Sequence, residues 1–327
     1  MQVTVTVPTT LERHTSLERL LSSLQAQSNS DFRCILIVPP GMKAKAFREA
    51  TVYPLDLEVL EQETRGYDAA MNVAFRNAGD VNINVDDDAI APKELIASHV
   101  RLVKEEGFGY VGGMVNGRLP PLVGRAWWIY AVCSTLPWER PLFGLTDAVI
   151  DFGASGFLQV FWRNLAKTLQ RTFGSLAQQG VNTSWSGPLL RRFALPCVTA
   201  RGILNESYAS LEVMRQGGRA VLSRAVNVLH EEHSSLSRTH DVNSMKSVLT
   251  DALLSPKVLE LLGYRVDMRA FYRQERVMRR ISGLTPYQDW FRGALDLTRA
   301  SLLECWNASE TRQRNLEYQT AQTLKRS

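Results

Sequence analysis

Three adjacent aspartates, Asp86-Asp87-Asp88, close the alternating run Val81-Asn82-Ile83-Asn84-Val85. Apolar and polar residues taking turns in this way mark a half-buried strand. Three carboxylates in a row repel one another unless a cation sits among them. In extended chain alternate side chains share a face. Asp86 and Asp88 can therefore turn to one side and share a single hard divalent ion. Carboxylate oxygens suit Mg2+ or Mn2+, and an ion held this way commonly carries substrate phosphates as well. The competing reading is a solvated acidic turn that caps a helix opened by Pro92. Two other stretches hold groups able to do chemistry. Glu206 stands at the start of a helical stretch that also contains Glu212 and stops at Gly217-Gly218. A carboxylate there is held by the helix amides and dipole, which is reason enough for its presence. His230-Glu231-Glu232-His233 lacks the i,i+4 histidine spacing of a zinc peptidase.

The elements that must position these groups read as a repeating α/β pattern. Val3, Val5 and Val7 form a first strand that stops at Pro8, and Thr9-Thr10 make a loop. Thr15-x-x-Glu18 has the form of a capping box, ahead of Leu17, Leu20, Leu21 and Leu24 on one helical face. Cys34 to Val38 is a continuous apolar run of the buried parallel type, ended by Pro39-Pro40-Gly41. A strand at Leu57 and Val59, a helix from about Asp68 to Asn77 and the turn Ala78-Gly79-Asp80 lead to the acidic strand. A helix from Pro92 to Glu106 follows and is stopped by Gly107. Alternation of this kind predicts a mostly parallel sheet flanked by helices. Ligands of such sheets lie at the carboxyl ends of the strands, where the aspartates stand.

Farther on the signals are mixed. Trp127, Trp128, Tyr130, Trp138 and Phe143 crowd together, as a core, a subunit contact, an acceptor platform or a membrane-interface belt would. Residues Gln170 to Ile203 read as an insertion, with a turn at Trp185-Ser186-Gly187-Pro188 and a basic pair, Arg191-Arg192, suited to an acceptor pocket or a diphosphate. A strand runs from Arg219 to Val228. Beyond His240 the pattern is helical, and Asn307 to Ser327 reads as a polar end prone to fraying.

Composition narrows the classes. The chain has 327 residues, 45% of them hydrophobic, enough for one large domain and an appendage. Its four cysteines have no metal-binding or disulfide-framework spacing. The N-terminus reads as a strand rather than a signal peptide, and no run is apolar enough to span a bilayer. The expected location is cytoplasmic or peripheral at a membrane. From Gly263 onward twelve basic residues face seven acidic ones, so this segment carries the whole net charge of +5. Such a surface can meet anionic lipid, nucleic acid or a phosphorylated substrate, pack on the rest of the chain, or make a homodimer.

Taken in order, Val3-Thr4-Val5-Thr6-Val7-Pro8 with its helix, Arg65-Gly66-Tyr67-Asp68-Ala69-Ala70-Met71-Asn72, Ala78-Gly79-Asp80, Val85-Asp86-Asp87-Asp88 and Pro92-x-x-Leu95 resemble the nucleotide-sugar glycosyltransferases of the GT-A fold, closest to family 2. The resemblance implies a Rossmann-like GT-A catalytic domain over residues 1–240. Its nucleotide-sugar-binding half is 1–110, its acceptor and catalytic half is 111–240, and 241–327 is a helical C-terminal extension. It implies a UDP- or GDP-linked sugar donor and a Mn2+ or Mg2+ cofactor. Donor contacts fall on Pro8, Thr9, Gly66, Asn72, Asp86, Asp87 and Ser155, the last in the Gly-rich segment Asp151 to Gly156. Asp88, Asp86 and His230 become the metal ligands, with His233 or His240 as alternatives to His230, and Glu206, or Glu212 in its place, the base that takes the acceptor's proton if the reaction inverts. The acceptor is a glycan, a lipid-linked molecule or a nucleic acid, the last making a DNA-modifying enzyme. Pro39-Pro40-Gly41 replaces the acids usual after the second strand, Met71 a usual base, and Ser207 a second acid beside Glu206. Those departures leave the nucleotide open and also suit an inactive binding scaffold.

Overall fold

A computed structural model describes residues 1–50, 52–118, 140–142, 148–178, 180–230, 242–283 and 287–324. The chain forms two compact units. The first comprises Met1–Pro120, Thr168–Leu195 and Asn205–Glu232, and the second Pro121–Lys167, Pro196–Leu204 and His233–Ser327. The aromatic residues Trp127, Trp128, Tyr130, Trp138 and Phe143, and also His233 and His240, lie outside the described residues.

The strands are β1 (Val3–Pro8), β2 (Arg33–Val38), β3 (Leu57–Glu61), β4 (Val81–Val85), β5 (Ala89–Ile90), β6 (Tyr110–Val115), β7 (Ile150–Phe152), β8 (Leu158–Val160), β9 (Thr172–Gly174), β10 (Asn182–Ser186) and β11 (Ala220–His230). In the first unit they form a sheet of order β3-β2-β1-β4-β10-β6-β11-β5, with β9 added beside β11. β1, β2, β3 and β4 are parallel. The chain leaves β1 toward β2 on one side and returns to β4 on the other. That reversal opens a crevice at the carboxyl ends of β1 and β4, where such folds bind ligands. The helices are α1 (His14–Gln25), α2 (Lys43–Ala50), α3 (Tyr67–Arg76) and α4 (Leu95–Val100), the last running on into a π-helical turn, Arg101–Glu105. Leu17, Leu20, Leu21 and Leu24 of α1 are buried against Val3, Val5, Val7, Leu36 and Val38. Each such leucine contributes about 2 kcal/mol by leaving water.

Three expectations change. α1 begins at His14 rather than after a Thr15 cap; Arg13 holds the cap position and no side chain caps the helix. The stretch expected as an insertion supplies β10, antiparallel between β4 and β6 in the middle of the sheet. Its sequence, Asn-Thr-Ser-Trp-Ser, hides the strand because polar residues occupy buried positions. Asn182 and Ser184 bond the two ring nitrogens of buried His99 at 2.7 and 2.8 Å. Burial lowers the His99 pKa to about 4, so the ring is neutral, in agreement with a structural role. Third, the polar end is a helix, Ala308–Leu324.

In the second unit, β7 and β8 form a hairpin, and the helices are Val242–Leu253, Ser255–Leu261, Met268–Ser282, Gln288–Leu303 and Ala308–Leu324. The last one lacks an apolar stripe because polar bonds dock it. Buried Asp251 accepts from Asn315 Nδ2 at 2.9 Å, Gln319 Nε2 at 3.0 Å, and the backbone N–H groups of Ala200 and Arg201 at 3.1 and 2.8 Å. Gly156, in the β7–β8 turn, has φ 84°, and an added Cβ would lie 2.7 Å from Pro256 Cα. The close backbone approach there is made by the chain itself. No helix among the described residues is long and apolar enough to cross a membrane.

Candidate active site

The first unit brings Asp86, Asp88 and His230 together, with one ligand atom of each within 4.8 Å of the others. Local pairing explains how. Just past the aspartates, β5 is only two residues long, yet it pairs antiparallel with the end of β11, setting His230 opposite Ala89. His230 is the last residue of that strand, two beyond the end expected from sequence. Asn116 fixes its backbone from both sides: His230 N donates to Asn116 Oδ1 and Asn116 Nδ2 donates to His230 O, each at 2.8 Å. His230 Nε2 then lies 2.9 Å from Asp88 Oδ1, with both side chains almost wholly buried. Among the described residues neither ring nitrogen of His230 makes a well-aligned hydrogen bond, and the close approach to Asp88 is an ion contact.

The loop after β1 completes the cluster. Thr9 Oγ1 donates to Asp87 Oδ2 at 2.6 Å and accepts from Leu11 N at 3.0 Å. Leu11 sits at φ 58°, a strained region for a bulky residue. The bend delivers the Arg13 guanidinium onto Asp88 Oδ2. Thr9 and Asp87 thus pin the loop to the acidic strand.

The electrostatics are lopsided. Burial pushes Asp86 well above the usual carboxylate range, helped by Asp88, Asp87 and Glu206. Burial also raises Asp87, against the Thr9 hydrogen bond. Burial alone would raise Asp88, but His230 and Arg13 outweigh it and hold that carboxyl below its ordinary value. Four carboxylates, with Glu206, therefore share a small volume against the Arg13 guanidinium. A buried histidine without a well-aligned hydrogen bond, beside carboxylates short of positive charge, fits a divalent ion of the Mn2+ or Mg2+ class.

Glu206 lies in the first turn of the Asn205–Arg215 helix and is buried. Burial raises its pKa from 4.5 to about 7, against the helix amide and a hydrogen bond with Tyr67. Tyr67 opens α3, and its hydroxyl is also 3.4 Å from Asn84 Nδ2. Asn84 Nδ2 donates to Gly180 O at 2.8 Å. A Cβ at Gly180 would come within 2.4 Å of Glu206 Oε1 and 2.6 Å of the Tyr67 hydroxyl, so glycine is required for the carboxylate to sit there. Tyr67, Asn84, Gly180, Arg13 and Asn116 escape a reading of sequence. Tyr67 looks like part of a helix start, and the other four reach the site only through the loops and strands that fold beside it.

Other expected site residues have other commitments. Asn72 pairs with the backbone of Leu195 in both directions, at 3.0 and 2.7 Å. Gly66 opens α3, its N–H donating to Gln62 Oε1 at 3.0 Å. Pro8 ends β1 opposite Ile37. Ser155 is buried in the β7–β8 turn of the second unit, its hydroxyl 3.5 Å from Phe157 N. Glu212 is paired with Arg215 at 2.6 and 2.7 Å. Arg191 donates to Ala78 O at 3.1 Å, before β4 begins, so it stands at the opposite end of that strand from the aspartates. That placement removes it as a phosphate ligand beside them.

Arg13 yields a direct test. A guanidinium on Asp88 competes with any cation for that carboxylate. Arg13→Ala is expected to tighten Mn2+ binding to the donor-free protein, by about tenfold for a partly screened charge pair. Titration of Mn2+ followed by the loss of its free-ion paramagnetic signal measures this, and weaker binding would mean that Arg13 supports the ion.

Residues 4–152 match the glycosyl transferase family 2 profile. No curated protein matches the chain. Among solved structures, the mannosyltransferase PcManGT from Pyrobaculum calidifontis, in complex with GDP-Man and Mn2+, is similar over 98% of this chain and 86% of that one, at 16% identity and a TM-score of 0.53. TarS 1-349 from S. aureus, in complex with UDP-GlcNAc, is similar over 100% of this chain and 92% of that one, at 14% identity and a TM-score of 0.51. At these identities the likeness is one of fold. The profile match runs from β1 to β7 and so includes β1 and β4, whose carboxyl ends form the crevice.

Proposed function

We propose that the chain is a family 2-like nucleotide-sugar glycosyltransferase of the GT-A fold, that it is metal-dependent, and that it inverts the anomeric centre of a UDP- or GDP-linked sugar. The observation that carries the metal reading is the meeting of Asp86, Asp88 and the buried ring of His230 in one cluster. Asp88, Asp86 and His230 would hold the ion. Bound there, a divalent ion supplies Lewis-acid stabilisation of the charge that grows on the leaving diphosphate. Pro8, Thr9 and Asp87 wall the nucleoside end, Gly66 offers backbone to the donor, and Asn72 acts through Leu195.

Glu206 is the general base. Its carboxylate accepts the acceptor's hydroxyl proton as the hydroxyl oxygen bonds the anomeric carbon, and the bond from that carbon to the diphosphate oxygen breaks with its electron pair leaving on the diphosphate. Tyr67 holds the carboxylate in place, and a pKa of about 7 keeps it basic enough to act near neutrality. PcManGT and TarS were solved with GDP-Man plus Mn2+ and with UDP-GlcNAc respectively, which supports a nucleotide-sugar donor. Calorimetric titration with UDP- and GDP-sugars, with Mn2+ and then with EDTA, tests the proposal. Binding of one nucleotide series that disappears with EDTA is expected. No binding of any donor in Mn2+ would overturn it in favour of a scaffold.

A further inference from the structure

The Met268–Ser282 helix carries a row of arginines without acidic partners among the described residues. Arg269, Arg273, Arg276 and Arg280 are spaced i, i+4, i+7, i+11 and all four are exposed. At 100° per residue they fall within about 60° of arc, in a straight row about 16 Å long. Ala270, Phe271, Gln274, Glu275, Met278 and Ser282 occupy the opposite face and are buried. The helix is thus half sunk in its own unit and presents one edge to solvent.

The pairing of charges on the two sides differs. Arg279, on the flank, bonds Glu275 at 2.6 Å and Asp296 at 2.6 Å, and Arg299 of the next helix joins the same acids. Asp267, the nearest acid to the row's start, is committed to capping the helix through Arg269 N and Ala270 N. None of the four row arginines makes a side-chain ion pair or hydrogen bond among the described residues. Tyr272, 37% exposed, stands beside the row. Among the described residues acids therefore pair with arginines that meet a neighbouring helix and with none of those that face outward.

We propose that this row is a docking edge for the surface of an anionic lipid bilayer. A straight row on a half-buried helix fits a plane of headgroups. The major groove of duplex DNA also accepts the exposed face of a helix packed on its own domain, so DNA is the competing outcome of the test. Guanidinium groups bond phosphate and carboxylate headgroups through paired N–H donors, and a tyrosine with an apolar ring and polar tip suits the interface. Each basic residue beside an anionic leaflet strengthens binding about fivefold, so four together give several hundredfold before salt screening.

The test uses the full chain and sedimentation with vesicles of phosphatidylcholine, with or without 30% phosphatidylserine, at low and at raised NaCl. The expected result is binding to the serine-containing vesicles only, weakened at least tenfold by salt. Changing Arg269, Arg273, Arg276 and Arg280 together to Gln should reduce it at least tenfold with the circular dichroism of the protein unchanged. The fourfold Arg→Lys variant should keep most of the binding. An equal loss of charge at Lys43, Arg48, Lys104 and Arg192 should change it less than threefold. Binding that survives the Gln variant, or no binding by the unaltered protein, overturns the proposal. Tighter binding to duplex DNA than to vesicles, lost in the Gln variant, also overturns it and assigns the row to nucleic acid.

Discussion

Asp88→Asn is expected to cut sugar transfer by about a thousandfold and to abolish Mn2+ binding, the loss of several kcal/mol of charge stabilisation on the leaving group. Asp88 is the point where His230 and Arg13 both arrive, so the neutral amide removes the ligand and frees its two partners. The metal-free protein gives a second readout. The folded state holds the Asp88 carboxyl below its ordinary value, so its ionised form stabilises the fold above that value and the benefit is lost as pH falls through the lowered one. Asn at this position should therefore lower Tm in EDTA at neutral pH. Asp86 has the opposite sign: its pKa is raised, so its ionised form is a burden above its ordinary value. Asp86→Asn should lose metal binding and yet raise Tm in EDTA. A solvated turn that merely caps a helix predicts neither the metal loss nor the opposed shifts. Mn2+-dependent turnover near the unaltered level in Asp88→Asn would sink the metal site.

How far the site is legible in sequence depends on what kind of bond builds it. The aspartates are readable because strand alternation ends abruptly in charge, and the four parallel strands because apolar residues recur with a simple period. His230 is legible only through resemblance, because its partner strand, Ala89–Ile90, is too short to carry a pattern. β10 is illegible for a different reason. Four of its five residues are polar, and Asn182 and Ser184 bond buried His99, so no hydrophobic period marks it. The same holds for the Ala308–Leu324 helix, whose docking runs through Asp251, Asn315 and Gln319. Arg13 and Tyr67 look like ordinary surface or helix-start residues, and their roles depend on which carboxylates the fold places opposite them.

Glu206→Gln is expected to make the protein slower and more stable at once. A raised carboxyl means that the folded state favours the neutral form. Below pH 4.5 Glu206 is protonated in folded and unfolded chains alike, so it contributes nothing to any pH dependence there. Between 4.5 and about 7 the unfolded chain ionises first, and stability falls as pH rises. Above about 7 both are ionised and the full cost, about 3 kcal/mol from this difference, stays in place. Gln has nearly the same shape, can still bond Tyr67 and carries no charge, so the variant should recover much of that cost at pH 8 and little at pH 4.5. Its turnover should fall by about 10²–10⁴-fold, the range for loss of a general base. In the unaltered enzyme the rate should climb about tenfold per pH unit below 7 and level off above it, and the variant should lack that limb. A carboxylate present only to satisfy the helix amides gives the other outcome, with stability lost on neutralisation and turnover little changed. Thermal melts at pH 4.5 and 8, beside the two pH–rate profiles, separate the cases. The strained chemistry also explains why the fold keeps Gly180 where any side chain would collide with Glu206 and Tyr67: the neighbourhood is shaped to hold a charge that the protein would be more stable without.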